Sequence, residues 1–367
     1  MTSTAEEKVA RPALATKPHE KDPVDWALGP GSVTWTVMED PAVFLVGLLR
    51  EAMLLTLHPD FAAAAVDHDS FGDDPISRFR HVAMYTYGAT YGTRDDAIRF
   101  SAMVRRTHTR IVGTEPMTGQ NYRAHADYEL ALTQVMLVDS FREAYEALYG
   151  ELPAVKRDQF VREQQVPAAL LGVDPDHMPN TFGESVDFLA HARVKFAPGL
   201  QAREILEPFG HGKYPRGTVI GDLPVYYRIP AMFGLRAMSD MAMSIMSPEE
   251  RRLISIDRKP KLRSTLAVRL SFKALSAFMR SERGSQVWNS FVKANVAEII
   301  EAAQKAQRAP GGRTRASTFV IPDAREALVV PPDLAENWPG STEAYKLGSD
   351  PGAEAALNGR SRNKSAS

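Results

Sequence analysis

Apolar and polar positions follow a helical period along most of the 367 residues, and no stretch sustains the two-residue alternation of a half-buried strand. A Gly-Pro-Gly-Ser turn at 29–32 is followed by VTWTVM (33–38), expected to be a short extended segment. Asp40-Pro41 then opens a helix, with aspartate at the N-cap and proline at the first helical position. The helix stops near His58-Pro59, because a residue before proline is driven out of the α region. It is apolar nearly all round, which places it at the centre of the fold. A short helical piece follows over 59–71. Asp74-Pro75 repeats the start signal for a helix whose inner stripe is Ile76, Phe79, Val82, Ala83 and Thr86, with Arg78 and Arg80 on its flanks.

The next helix, Arg94 to Gly113, carries the most informative pattern. Thr93 suits the N-cap, Asp95 and Asp96 suit the first turn, and Gly113 suits the position just past the end. Its inner stripe is Ala97, Ile98, Ser101, Val104, Ile111 and Val112, and Arg105 and His108 share it, three residues apart. Arg99, Arg106 and Arg110 fall on the opposite face as solvated charges. A helix that turns a guanidinium and an imidazole inward has two explanations. Buried carbonyls or carboxylates satisfy both groups, or the two meet a buried cofactor, with neutral imidazole as metal ligand and arginine near its anionic groups.

Further helices are expected at about 126–149, 155–171, 181–197, 230–246, 248–256, 261–281 and 284–308, with loops and at most short helices over 198–230. Gln134 and Asp139 interrupt the apolar middle of the 126–149 helix and are expected to be buried. They either hold the second ring nitrogen of His108 or bond to each other or to Arg105. Residues 1–25 and 310–367 are polar or rich in proline and glycine, the composition of disordered tails. The expected architecture is all-α, a single helical bundle-like domain over 26–309 with a disordered tail at each end.

Composition narrows the chemistry. Cysteine is absent, which excludes disulfides, thiolate-ligated haem, iron–sulfur clusters, Cys-type zinc sites and cysteine nucleophiles. Any metal falls to the nine histidines, carboxylates, tyrosines or methionines, and no HExxH supports a metallohydrolase. His58 is expected to cap a helix or accept a backbone donor, with iron ligation as its alternative. His68 reads as a turn residue, and His125 and His211 as loop residues. Tyr85, Tyr87 and Tyr91 either line a substrate channel or pack, and the methionines of 237–246 either form an adaptable pocket or belong to the core. A formal charge of −1 gives no electrostatic reason to expect nucleic acid or an anionic membrane. No apolar run reaches the ~18 residues of a membrane span. The first residues lack the apolar core of a secretory signal, so the cytoplasm is the expected compartment.

The order of motifs resembles the rubber oxygenases and MpaB-type oxygenases, the latex-clearing-protein-like catalytic domain. The resemblance runs through LHP (57–59), VDHDSFGDDPISRFR (66–80), YGT (91–93), RRTHTRIVG (105–113), GQNYRA (119–124), LVDSFREAY (137–145), LLGV (170–173) and MPNTFGE (178–184). It implies an all-helical enzyme that binds haem b noncovalently and uses dioxygen to cleave carbon–carbon double bonds in isoprenoid substrates. Arg105 and His108 would be the haem-side arginine and the proximal, iron-ligating histidine, and Arg78 the arginine of the distal helix. Two positions depart from the family pattern. Val82 stands where a threonine follows that arginine, and Gln134 where many members have histidine. A valine neither donates nor accepts a hydrogen bond, so any contribution of that hydroxyl is missing. The expected function is a haem-b-dependent oxidoreductase acting with dioxygen on a small or medium apolar, isoprenoid-like substrate. The alternatives are a haem-binding protein without turnover and a cofactor-free helical binding protein. A homodimer is compatible with the sequence, without specific support.

Overall fold

The computed structural model describes residues 24–68, 75–211, 222–254, 265–292 and 294–310. Among them are fifteen α-helices and one two-stranded ribbon, the all-α architecture that the periodicity predicts. The first helix, α1 (Val33–Met38), replaces the expected extended segment. Ser32 caps it by accepting from the Trp35 N–H, and the buried carboxylate of Glu163 accepts from the N–H groups of Val33 and Thr34 at 3.0 and 2.8 Å. An anion on the free N–H groups of a first turn outweighs the β preference of valine and threonine.

Helix α2 (Pro41–Leu55) begins as predicted, with Asp40 Oδ1 accepting from the Ala42 N–H at 2.8 Å. It is followed by α3 (Pro59–Asp67), α4 (Pro75–Tyr91) and α5 (Arg94–His108). Strands β1 (Val112–Thr114) and β2 (Asn121–Arg123) pair antiparallel. Helix α6 (Asp127–Tyr149) lies along α2, close enough that a Cβ added at Gly47 would meet the Phe141 ring at 2.5 Å. These two helices form the centre of the fold. One side of the core gathers Trp35, Phe44, Tyr87, Phe141 and Trp288, and the other Met53, Leu57, Leu132, Met136 and Phe272.

The helix expected over 155–171 is two, α7 (Ala154–Glu163) and α8 (Gln165–Leu171). Pro167 has no N–H to give the carbonyl of Glu163, and the chain breaks at Gln164. Helix α9 (Phe182–Arg193) ends before 197, and α10 (Leu200–His211) forms where loops were expected. Helix α11 (Val225–Ser244) starts before 230, behind Pro224, and is followed by α12 (Pro248–Leu253) and α13 (Thr265–Arg280). The expected 284–308 helix is α14 (Glu282–Val292) and α15 (Ala294–Arg308). At the N-terminal edge the Arg94 N–H donates to the carbonyl of Asp25 at 2.8 Å. The expectations for residues 1–23 and 311–367 lie outside the described residues.

Candidate functional site

Helices α4 and α5 form an antiparallel pair that turns at Gly92-Thr93. Thr93 and Asp96 close a reciprocal cap: Thr93 Oγ1 accepts from the Asp96 N–H at 3.2 Å, and Asp96 Oδ2 accepts from the Thr93 N–H at 3.1 Å. The register of the pair is set further along, where the backbone of Gly88 lies against the Phe100 ring. Counting outward in equal steps from that contact brings residues 80–82 level with 106–108. Residues 78–82 of α4 and Arg105 and His108 of α5 therefore lie at the same, open end of the pair, with His81 exposed and Val82 half-buried.

Arg105 is 6% exposed and His108 half-buried, with Nε of the arginine and Nδ1 of the histidine shielded from solvent. The inward stripe of α5 is as read for Ala97 and Ser101, and it also takes in Asp96 and Phe100. The helix ends at His108 with Thr109 as its cap, so Ile111, Val112 and Gly113 lie beyond it. Gly113 is a strand residue and not a helix terminator. It faces Tyr122 across the ribbon, where any Cβ would meet the phenol oxygen at 2.3 Å. Arg110 is exposed as expected, whereas Arg99 and Arg106 are half-buried.

The chain leaving His108 is firmly held. The Ile111 N–H donates to the His108 carbonyl at 3.1 Å, and the Ile111 carbonyl accepts from the Ala124 N–H at 3.0 Å. Tyr122 donates to Asp67 Oδ2 at 2.8 Å, and His68 Nε2 donates to the Val112 carbonyl at 3.1 Å, which ties the end of α3 to the ribbon. Tyr122, Asp67 and His68 are thus positioning residues that the sequence reading did not assign; a glycine opposite a tyrosine across two short extended runs is the signal it passed over. Glu115 accepts from the N–H groups of Met117 and Thr118 and the Thr118 hydroxyl, which closes the loop between the strands.

Three buried hydroxyls lie along α4 and α5, those of Tyr85, Thr86 and Ser101. Burial pushes the Tyr85 phenol well above its ordinary range, with Ser101 opposing the rise. Tyr87 stacks on Phe44 with ring centroids 4.1 Å apart, and Tyr91 donates to the Trp35 carbonyl at 2.9 Å. Both are core packing. So are Met241, Met243 and Met246.

Other candidates go elsewhere. Asp139 does not serve His108 or Arg105. It accepts from Arg50 at 2.9 Å and Arg142 at 2.8 Å, and Glu250 joins Arg50 and Arg193 to the same network. These cations outweigh the burial penalty and hold the Asp139 carboxyl at about 2. Gln134 donates to Gln164 Oε1 at 3.0 Å, and Gln164 continues to the Thr34 hydroxyl at 2.7 Å. His58 sits at the N-cap of α3, yet its ring makes no capping bond. It is 1% exposed among Phe61, Tyr128 and Phe196, and burial, with Lys195 second, lowers its pKa to about 4. The side chains of Arg78 and His211, and the aspartates at 73 and 74, lie outside the described residues.

Among the described residues no three His, Cys, Asp or Glu side chains converge to hold a metal ion. No single helix among them is long and apolar enough to cross a membrane. At the open end of α4 and α5 His81 is exposed, and the donor set facing inward is the half-buried imidazole of His108 with buried Arg105, which suits a metal that arrives with most of its ligands already attached.

Comparison with known proteins gives the class. The family model described as "ER-bound oxygenase mpaB/B'/Rubber oxygenase, catalytic domain" matches residues 35–281, which contain α1 to α13 almost entirely. The chain belongs to this oxygenase family and is an enzyme of that class. No match was found among curated proteins or among solved structures.

Proposed function

We propose that the protein is a haem-b-dependent oxygenase acting with dioxygen on a small or medium apolar substrate of isoprenoid type, with His108 as the residue that would ligate the iron. The carrying observation is the juxtaposition of His108 and buried Arg105 at the end of α5 that lies level with residues 80–82 of α4. The residues present fit the group. A porphyrin supplies four nitrogens to its iron, so one neutral imidazole completes the protein's share, and guanidinium groups suit its propionates. When bound, the haem supplies the redox chemistry by which dioxygen is used.

In this reading the imidazole of His108, with its Nδ1 shielded from solvent, would hold the iron. Arg105, and by resemblance Arg78, would hold the anionic edge of the haem. Phe79, Val82 and Met84, partly buried against the main core, make this end of α4 apolar, which would favour an alkene over a polar substrate. The backbone leaving His108 is held by the Ile111–His108 and Ala124–Ile111 hydrogen bonds of the adjoining ribbon.

Titration of the purified protein with haemin, followed by absorption spectroscopy, tests this. The expected result is a saturable Soret band that is lost or shifted in His108→Ala and weakened in Arg105→Ala, with helical circular dichroism retained and His58→Ala unchanged. A wild-type protein that leaves the haemin spectrum as it is in buffer overturns the reading. A second reading, haem binding without turnover, is favoured by one observation: Val82 packs as a plain hydrophobe where a hydroxyl is expected from the family pattern. Oxidative cleavage of an added polyisoprenoid by the loaded protein would overturn it.

A further inference from the structure

Two neighbouring helices carry an apolar face that nothing among the described residues covers. On α13, Leu266 and Leu270 are 67% and 57% exposed, and Phe278 is 51% exposed, with Ala274 and Ala277 also open on the same side. On a helical wheel these five occupy one arc of about 120°. The adjoining arc of about 40° holds Arg269, Lys273 and Arg280, all exposed, and α13 contains no acidic residue. Its opposite side, with Val268, Phe272 and Met279, is buried in the core. The helix is therefore apolar twice over, and only one of the two faces is used by folding.

Helix α11 packs beside α13 and repeats the arrangement. Val225, Ile229, Phe233 and Ala237 recur at every fourth residue and are all exposed, Phe233 at 70%. Arg236 lies within that arc, and the single acid of the helix, Asp240, is buried. A Cβ added at Gly234 would meet nothing within 4 Å.

We propose that α11 and α13 together form a docking face for an anionic lipid surface. Large aliphatic and aromatic side chains would enter the acyl boundary, while the bordering Arg269 and Lys273 reach lipid phosphates and carboxylates. Charge decides the occupant. Arg280 is tied to buried Asp40 at 3.1 Å, but Arg269 and Lys273 border the face and α13 itself carries no acid, which complements an anionic bilayer and opposes a second copy of the same face. The formal charge of −1 over the whole chain conceals this local excess. The inference is independent of whether haem is bound.

The test is co-sedimentation of the full chain with phosphatidylcholine vesicles, with and without phosphatidylserine, at low and high salt. Binding is expected with phosphatidylserine and is expected to fall with salt. Ile229→Ser/Phe233→Ser and Leu266→Ser/Leu270→Ser should each weaken it by about tenfold, and Arg269→Glu/Lys273→Glu should weaken only the phosphatidylserine-dependent part. Val155→Ser, which removes an equally exposed apolar side chain on α7, should leave binding unchanged. Absence of binding to either vesicle overturns the proposal, as does binding indifferent to the serine variants. So does a vesicle-free shift from dimer to monomer in those variants by analytical ultracentrifugation, which would assign the face to a second copy.

Discussion

Gly88 of α4 touches Phe100 of α5 so closely that any Cβ at position 88 would lie 2.1 Å from the phenyl Cδ2. Phe100 is buried and has no room to retreat. This one contact fixes how far apart the two helices run and which residues come level at their open end. Gly88→Ala is therefore expected to destabilise the protein by about 1–3 kcal/mol, measured by urea denaturation. Adding Phe100→Leu should recover part of the loss, and strictly additive effects would show that the two positions do not meet.

The ion network across α2, α6, α9 and α12 has Asp139 at its centre. Asp139→Asn leaves Arg50, Arg142 and Arg193 around one neutral amide, with Glu250 as the remaining buried anion, and should cost about 3–5 kcal/mol at neutral pH. The Asp139 carboxyl is depressed from 3.8 to about 2 in the folded protein. Its contribution is fully present above the unfolded value and is lost as pH falls from there toward 2. The asparagine variant should accordingly lack part of the wild-type fall in stability across that interval.

His58 predicts a second pH effect, at higher pH. Its folded value of about 4 lies below the ordinary 6.5, so the unfolded chain binds the extra proton more readily. Stability tied to the neutral ring is complete above 6.5 and declines as pH falls toward 4, by up to about 3 kcal/mol. His58→Leu should flatten the melting temperature over that window. An unchanged slope would mean that the ring is not buried uncharged.

Glu163 holds α1 in place from a distance, accepting from two backbone N–H groups and the Thr34 hydroxyl. Glu163→Ala leaves these donors buried and unmet, at a cost of about 3 kcal/mol or more. Glu163→Gln keeps one acceptor oxygen and should lose less. Equal losses in the two variants, read by thermal denaturation, would argue that shape rather than hydrogen bonding matters there.

From the amino-acid order alone came the helical class, the caps at Asp40 and Thr93, the inward placement of Arg105, and the pairing of Arg105 and His108 on one helix. Each depends on residues within a few positions of one another, where periodicity and capping chemistry act directly. Tertiary structure decided the rest. Thr34 and Glu163 are 129 residues apart, and no local pattern marks them as partners. Asp139 turned to Arg50 rather than to His108 because α2, not α5, lies along α6. The register that sets residues 80–82 beside 106–108 rests on a glycine and a phenyl ring meeting across two helices. Buried polar groups take whatever partners packing brings within reach, and that choice belongs to the folded chain.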